Sequence, residues 1–175
     1  MNLGADDISF LSQDQLITIQ PTIRLAAIHL ISGSYGPFTP PIRLRVPLWL
    51  ALNLKKASKC KIDPPQWLSL DNLKNLIELD DFSSLPFNYL ETGFVLLGSA
   101  SDDFGNSADK ITVLLREIYE IRKSRFRRKL TTLDSNHMRI EDLGAMEINE
   151  IRPFLCTSFN NLRKLQDKAD EDDIV

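Results

Sequence analysis

The chain has 175 residues, 43% hydrophobic and 26% charged, with a formal net charge of -3 at pH 7. This length and apolar content suffice to bury a core, in one domain or two small packed domains. Nucleic-acid binding cannot be argued from the overall charge, because bases concentrate in RKSRFRRK (122–129) while acids concentrate in the C-terminal segment DKADEDDIV.

Nothing in the sequence marks the chain for export. The start, MNLGADDISF, carries acids where a secretory signal needs a basic and then an apolar stretch. The two cysteines, Cys60 and Cys156, lack the spacing of a disulfide framework or zinc site and fit a reducing compartment. The longest apolar run, 46–52, is much shorter than the ~20 residues that span a bilayer. We therefore expect no membrane segment.

The first third of the chain predicts a small antiparallel sheet. QLITIQ (15–20) and AAIHLIS (26–32) are short apolar runs, and IRLRV (42–46) alternates, with Ile42, Leu44 and Val46 on one side. The intervening GSYGPFTPP (33–41) is predicted to be a turn or loop, because its prolines cannot donate ladder hydrogen bonds.

The strand at 42–46 is predicted to pass directly into a helix at Pro47. Proline is tolerated in the first helical turn, and Leu48, Trp49 and Leu52 follow at helical spacing. From there the periodicity stays helical, with two short helices containing Trp67 and then Tyr89, and a longest helix over 110–130. A last helix is predicted to start at Pro153.

These patterns predict an α+β fold that is mainly α-helical. We expect a small antiparallel β-rich domain over residues 1–61 that ends in the short helix, then an α-helical bundle domain over residues 62–168. The remaining residues 169–175 have little to bury and are predicted to form an acidic mobile tail.

The residue types of an active site are sparse. His29 and His137 have no second ligand at metal-binding spacing, and neither a nucleophile elbow nor a phosphate-binding glycine loop occurs. Adjacent acids such as Asp102 and Asp103 fall at breaks or helix starts, where carboxylates act as caps. We therefore predict no catalytic residue, cofactor or metal site.

The basic end of the longest helix has two interpretations. It either contacts DNA phosphates or an acidic partner, or it is a solvated helix end whose charges complement the helix dipole. Only Phe126 interleaves with the bases, and no DNA-reading motif surrounds them. The residues concerned are Arg122, Lys123, Arg125, Arg127, Arg128 and Lys129.

Two segments resemble a known family. GPFTPPIRLRVPLWLALNLKKASKCKIDPPQWLS (36–69) and LGAMEINEIRPFL (143–155) are similar to the Psf-two subunits of the eukaryotic GINS complex. The likeness extends to about Leu165. It implies a β-rich domain followed by a helical domain, in a non-catalytic subunit of a nuclear heterotetramer with Psf-one, Psf-three and Sld-five. That tetramer joins the Cdc forty-five protein and the Mcm hexamer as the replicative helicase.

The resemblance also implies that apolar residues divide between the core and subunit interfaces. DNA contact is then expected only within the assembly, and neither a membrane nor a small-molecule substrate is expected. The alternatives are an autonomous nucleic-acid-binding module, which would need the basic helix end, and an enzyme, which would need a polar pocket. The interface candidates are Leu48, Trp49, Trp67, Ile118, Phe126, Leu130, Met146, Ile148, Phe154 and Phe159.

Overall fold

The structure is a computed structural model that describes residues 4–79, 85–130 and 143–172. The N-terminal part contains α1 (Ala5–Ser12), β1 (Leu16–Pro21), β2 (Ile28–Leu30), β3 (Gly33–Tyr35), β4 (Leu44–Pro47), α2 (Leu48–Lys56) and β5 (Cys60–Ile62). A 3-10 turn (Gln66–Leu68) then leads to α3 (Leu70–Leu79), α4 (Tyr89–Ser99), a 3-10 segment (Ser101–Ser107), α5 (Ala108–Leu130) and α6 (Ala145–Asp172). The predicted α+β, mainly helical fold class is confirmed, whereas the domain boundaries stay predictions.

Strand β1 is the centre of a three-stranded antiparallel sheet with the order β4-β1-β5. Its alternate residues Ile17 and Ile19 face the core, and Ile19 pairs with Leu44 on one side and Ile62 on the other. Ile42 lies before β4 and is exposed, so the prediction that it shares the buried face is wrong. The paired strand begins only at Leu44.

Three short elements differ from the sequence predictions. Strand β3 forms a hairpin with β2 inside the segment predicted to be a loop, since Gly33 at φ 146° permits the tight turn. Strand β5 is stabilised by pairing with β1 and lacks a periodic pattern of its own. Helix α1 was not predicted, because Ile8 is its only buried apolar residue.

The predicted change from strand to helix at Pro47 is confirmed. Strand β4 ends at Pro47, and α2 begins at the next residue. The far end of α2 is tied to the helical part of the chain, because Lys55 lies 2.8 Å from Asp103, which also accepts a 2.8 Å hydrogen bond from the Ile62 N–H. The sheet and helices thus share one connected set of contacts.

The helical part packs α3 and α4 against α5. Leu73, Leu96, Leu115 and Ile118 are fully buried there, in the same apolar cluster that contains the inner face of the sheet. Gly93 permits the close approach of α4 to α5, because a Cβ at this position would lie 2.8 Å from a methyl group of Leu115.

Helix α6 is continuous from Ala145 to Asp172 with Pro153 inside it, so the prediction that the last helix starts at Pro153 is wrong. At 28 residues against 23 for α5, it also contradicts the prediction that the helix over 110–130 is the longest. Proline removes one backbone donor but still adopts the helical φ, and the turns before it are held by tertiary contacts. The helix passes Lys168, while mobility of the acidic end stays a prediction. No helix within the described ranges is both long and apolar enough to cross a membrane.

Candidate protein interface

A buried polar cluster holds the first turn of α6 against α4 and α5. The Glu147 carboxylate accepts hydrogen bonds from Arg122 Nε at 2.7 Å and Nη2 at 2.9 Å, and from the Tyr89 hydroxyl at 2.7 Å. It also accepts the Gly144 N–H at 2.7 Å, which caps the start of the helix. The Arg122 guanidinium lies 5.3 Å from the centre of the Tyr89 ring. We call Tyr89, Arg122 and Glu147 the base cluster, because they lie at the base of α6.

The electrostatics of the base cluster favour an ionised Glu147, whose side chain is only 3% exposed. Burial alone would raise the pKa of Glu147, but hydrogen bonds from Arg122, Gly144 and Tyr89 hold it below its usual value. Burial, together with the Glu147 charge, raises the pKa of the Tyr89 hydroxyl, which therefore stays a donor. A bidentate guanidinium and two further donors satisfy the buried carboxylate.

A second carboxylate, Glu91 on α4, lies near the same helix start. It is 5% exposed, and among the described residues no donor reaches hydrogen-bond geometry with its side-chain oxygens. Burial raises its pKa, an effect that the nearby backbone amides of Glu91 and Met146 partly oppose. Glu91 belongs to the packing of α4 against the start of α6.

The basic end of α5 is partly used inside the chain. Arg122 pairs with Glu147, and Lys123 pairs with Glu150, which also accepts a hydrogen bond from Tyr119. Arg127 and Arg128 are exposed and Arg125 is half-buried, while the Lys129 side chain lies outside what the structure describes. Their contact with DNA or an acidic partner stays a prediction.

Exposed apolar residues lie on two sides of α6, because Phe154 and Phe159 are about 140° apart around the helix. Phe154 is 58% and Phe159 40% exposed, and Met146 and Ile148 are half-buried. The described side chains beyond Leu155 are all exposed or half-exposed. An open groove of about 400 Å³ runs along the side that carries Phe159, whereas Phe154 borders a separate hollow against α5. The apolar lining of the groove consists of Leu143, Ile148, Ile151, Leu155 and Phe159.

The other predicted interface residues lie elsewhere. Leu48, Ile118 and Phe126 are in the core of this chain, Trp49 and Trp67 are half-buried, and the Leu130 side chain lies outside the described part. Helix α1, which lies against α4 and α6, adds an exposed Phe10 and Leu11 that sequence reasoning missed.

The described residues contain no cluster of three or more His, Cys, Asp or Glu side chains suited to hold a metal ion. His29 forms a hydrogen bond with Ser34 at 2.7 Å in the β2–β3 hairpin, and His137 lies outside the described residues. The arrangement of α6 is instead typical of a protein-binding surface, with apolar side chains on one projecting helix.

Comparison with known proteins places the chain in a family. Residues 4–63 match the PSF2 N-terminal domain, and residues 67–166 match the GINS complex protein helical bundle domain. The chain is 35% identical to the DNA replication complex GINS protein psf2 of Schizosaccharomyces pombe over 98% of this chain and 96% of that one. It is 33% identical to human PSF2 over 94% of this chain and 92% of the human protein. The chain belongs to the PSF2, or Psf-two, family of DNA replication complex GINS proteins.

Proposed function

We propose that the chain is a non-catalytic structural subunit of a nuclear GINS heterotetramer with Psf-one, Psf-three and Sld-five. Through this tetramer it would join the Cdc forty-five protein and the Mcm hexamer as the replicative helicase, in initiation and elongation of chromosomal replication. The observation that carries the proposal is the match of both family models across nearly the whole chain, with relatives named as GINS proteins over the same length.

The geometry of α6 supports an interface role. A helix of 28 residues has a length of about 42 Å at 1.5 Å per residue. Its described side chains after Leu155 are exposed or half-exposed, and Phe154 and Phe159 are exposed on it. Burying a Phe side chain contributes about 1.5–3 kcal/mol, so a partner surface covering both would gain substantially.

The test is light scattering after size-exclusion chromatography, on the chain alone and after co-expression with the three other subunits. We expect a monodisperse complex with one copy of each chain. A stable monomer that ignores those partners would refute the proposal.

Matched alanine variants locate the interface. Phe154→Ala has Phe87→Ala as its control, because both side chains are 58% exposed, and Phe159→Ala at 40% is matched by Phe94→Ala at 38%. We expect the α6 variants to lose complex and the α4-region controls to retain it. The opposite pattern would place the interface away from α6.

A second candidate function is direct nucleic-acid binding, favoured by the exposed guanidinium of Arg127 at the basic end of α5. The triple substitution of Arg125, Arg127 and Arg128 by Gln tests it through the salt dependence of DNA binding. If this candidate is correct, affinity falls and the salt slope becomes shallower by about one unit per lost phosphate contact. An unchanged salt slope would rule out this second candidate function.

A further inference from the structure

Helix α6 is held at one end. Glu147 is its third residue, and hydrogen bonds from Arg122, Tyr89 and Gly144 converge on that carboxylate. The last described residue of the helix that is buried is Leu155, eight positions later. The direction of the remaining helix is therefore determined by contacts near its start.

A small rotation at this end has a large effect farther out. Phe159 lies 12 residues after Glu147, which is about 18 Å along the axis, and a tilt of about 10° would displace it by about 3 Å. The same tilt would displace Lys164 by about 4 Å. Such displacements are comparable to the spacing between neighbouring side chains in a packed interface, so the angle of α6 matters for any partner surface.

We propose that the base cluster is the positioning device that fixes the direction in which α6 projects, so that Phe154 and Phe159, on two sides of the helix, are each presented to a partner in one orientation. The hydrogen bonds to the Glu147 carboxylate are directional. A carboxylate bound by a planar guanidinium fork, a hydroxyl and a backbone N–H is fully satisfied in one arrangement. Apolar contacts at the same place would tolerate several arrangements of the helix.

The close packing around the cluster supports this assignment. A Cβ on Gly144 would lie 3.0 Å from the Phe87 carbonyl oxygen and 3.0 Å from the Tyr89 ring, and the Ala145 N–H donates to that carbonyl at 2.9 Å. The neighbouring carboxylate Glu150 offers a natural contrast. It also joins α6 to α5, through Lys123 and Tyr119, but its side chain is 43% exposed, where such pairs contribute little.

The direct test measures the direction of α6 in the full-length chain, kept soluble by a cysteine-free fusion. Spin labels at Val113→Cys on α5 and Lys164→Cys on α6, both exposed, report the distance between the helices by pulsed electron paramagnetic resonance. Cys156→Ser removes the exposed native thiol, and Cys60 is buried. We expect one narrow distance distribution.

Glu147→Gln should shift or broaden this distribution by about 4 Å or more at Lys164, whereas the matched control Glu150→Gln should leave it unchanged. Arg122→Met combined with Glu147→Leu gives a second variant in which neither charge of the pair stays buried alone. It leaves the Tyr89 hydroxyl and the Gly144 N–H without their acceptor, so circular dichroism checks that it is folded before labelling. We expect the same broadening in it. A distribution that overlays the unsubstituted chain in both variants overturns the inference.

The consequence for assembly rests on the proposed function. In titrations with the three partner subunits, made well below the melting temperature of the variant, the double variant should associate about tenfold more weakly or worse. Broadened distances with unchanged association would overturn the link between α6 direction and assembly. If the unsubstituted chain itself fails to assemble, the proposed function fails, and the distance measurement still decides the role of the base cluster.

Discussion

Replacing Arg122 by Met should destabilise the chain strongly, because it leaves Glu147 buried without its cationic partner. The two hydrogen bonds of 2.7 and 2.9 Å disappear from a carboxylate that is 3% exposed. Removing one member of a buried pair costs about 3–5 kcal/mol. Since Tyr89 and Gly144 still donate to Glu147, we expect the lower end, about 3 kcal/mol, a large share of a typical domain stability.

The stability lost in Arg122→Met should depend on pH, in a direction that follows from the pKa of Glu147. In the unsubstituted chain this pKa is lowered, mainly by Arg122 against the effect of burial, so the stabilisation is present above the unfolded pKa and disappears as pH falls through the folded one. Without Arg122, burial dominates and the pKa rises, so protonation of Glu147 relieves the cost. The difference in free energy of unfolding between the unsubstituted chain and Arg122→Met should therefore become smaller as the pH is lowered.

Urea unfolding followed by tryptophan fluorescence measures this difference, since Trp49 and Trp67 are both half-buried. Curves at about pH 7 and about pH 4, on either side of the ordinary glutamate pKa of 4.5, give the two free energies of unfolding. Arg127→Met, an exposed position on the same helix, is the control and should change stability by less than about 0.5 kcal/mol. A loss below about 1 kcal/mol, or the same loss at both pH values, would refute the account of a buried charge pair.

Three further outcomes follow from packing and burial. Gly144→Ala should lower the free energy of unfolding by about 1–3 kcal/mol, and with it the melting temperature, because its Cβ meets the Tyr89 ring at 3.0 Å. An unchanged melting temperature would show that α6 can shift at its start. Leu115→Ala, at a fully buried site, should cost about 2–5 kcal/mol in chemical denaturation, and a smaller loss would argue against a packed α4–α5 contact. In a thiol titration of the native chain, Cys156 should react and Cys60 should not, because burial raises the pKa of Cys60 to about 11; fast reaction of both would contradict the burial of β5.

The elements that the sequence predicts well are those with a local cause. Proline at position 47 ends one backbone pattern and permits another, and α5 follows from apolar residues such as Ile111, Leu115 and Ile118 at helical spacing. Strand β5 and helix α1 lack such a signal. β5 has three residues whose conformation depends on β1, and α1 leaves Phe10 and Leu11 exposed, so its apolar residues do not mark an inner face.

The polar contacts at the start of α6 could not be predicted, because they join residues far apart in sequence. Arg122 belongs to a basic run that indicates a solvated or phosphate-binding surface, yet it is buried against Glu147, 25 positions away. Asp103 likewise resembles a helix cap but binds Lys55 and the Ile62 N–H. In each case the partner is decided by tertiary packing, which residue type and spacing do not encode.

The two parts of α6 answer different physical requirements. Burial of Phe154 and Phe159 would be favourable against almost any apolar surface, since the hydrophobic effect is non-directional. The Glu147 carboxylate is satisfied only when its donors converge from α4, α5 and the helix start, so its bonds have a direction. A helix that is fixed by directional bonds at its base presents non-directional side chains in one orientation. Under the proposed function, affinity for a partner would come from the exposed phenylalanines, and selectivity among partner surfaces would come from the buried charges behind them.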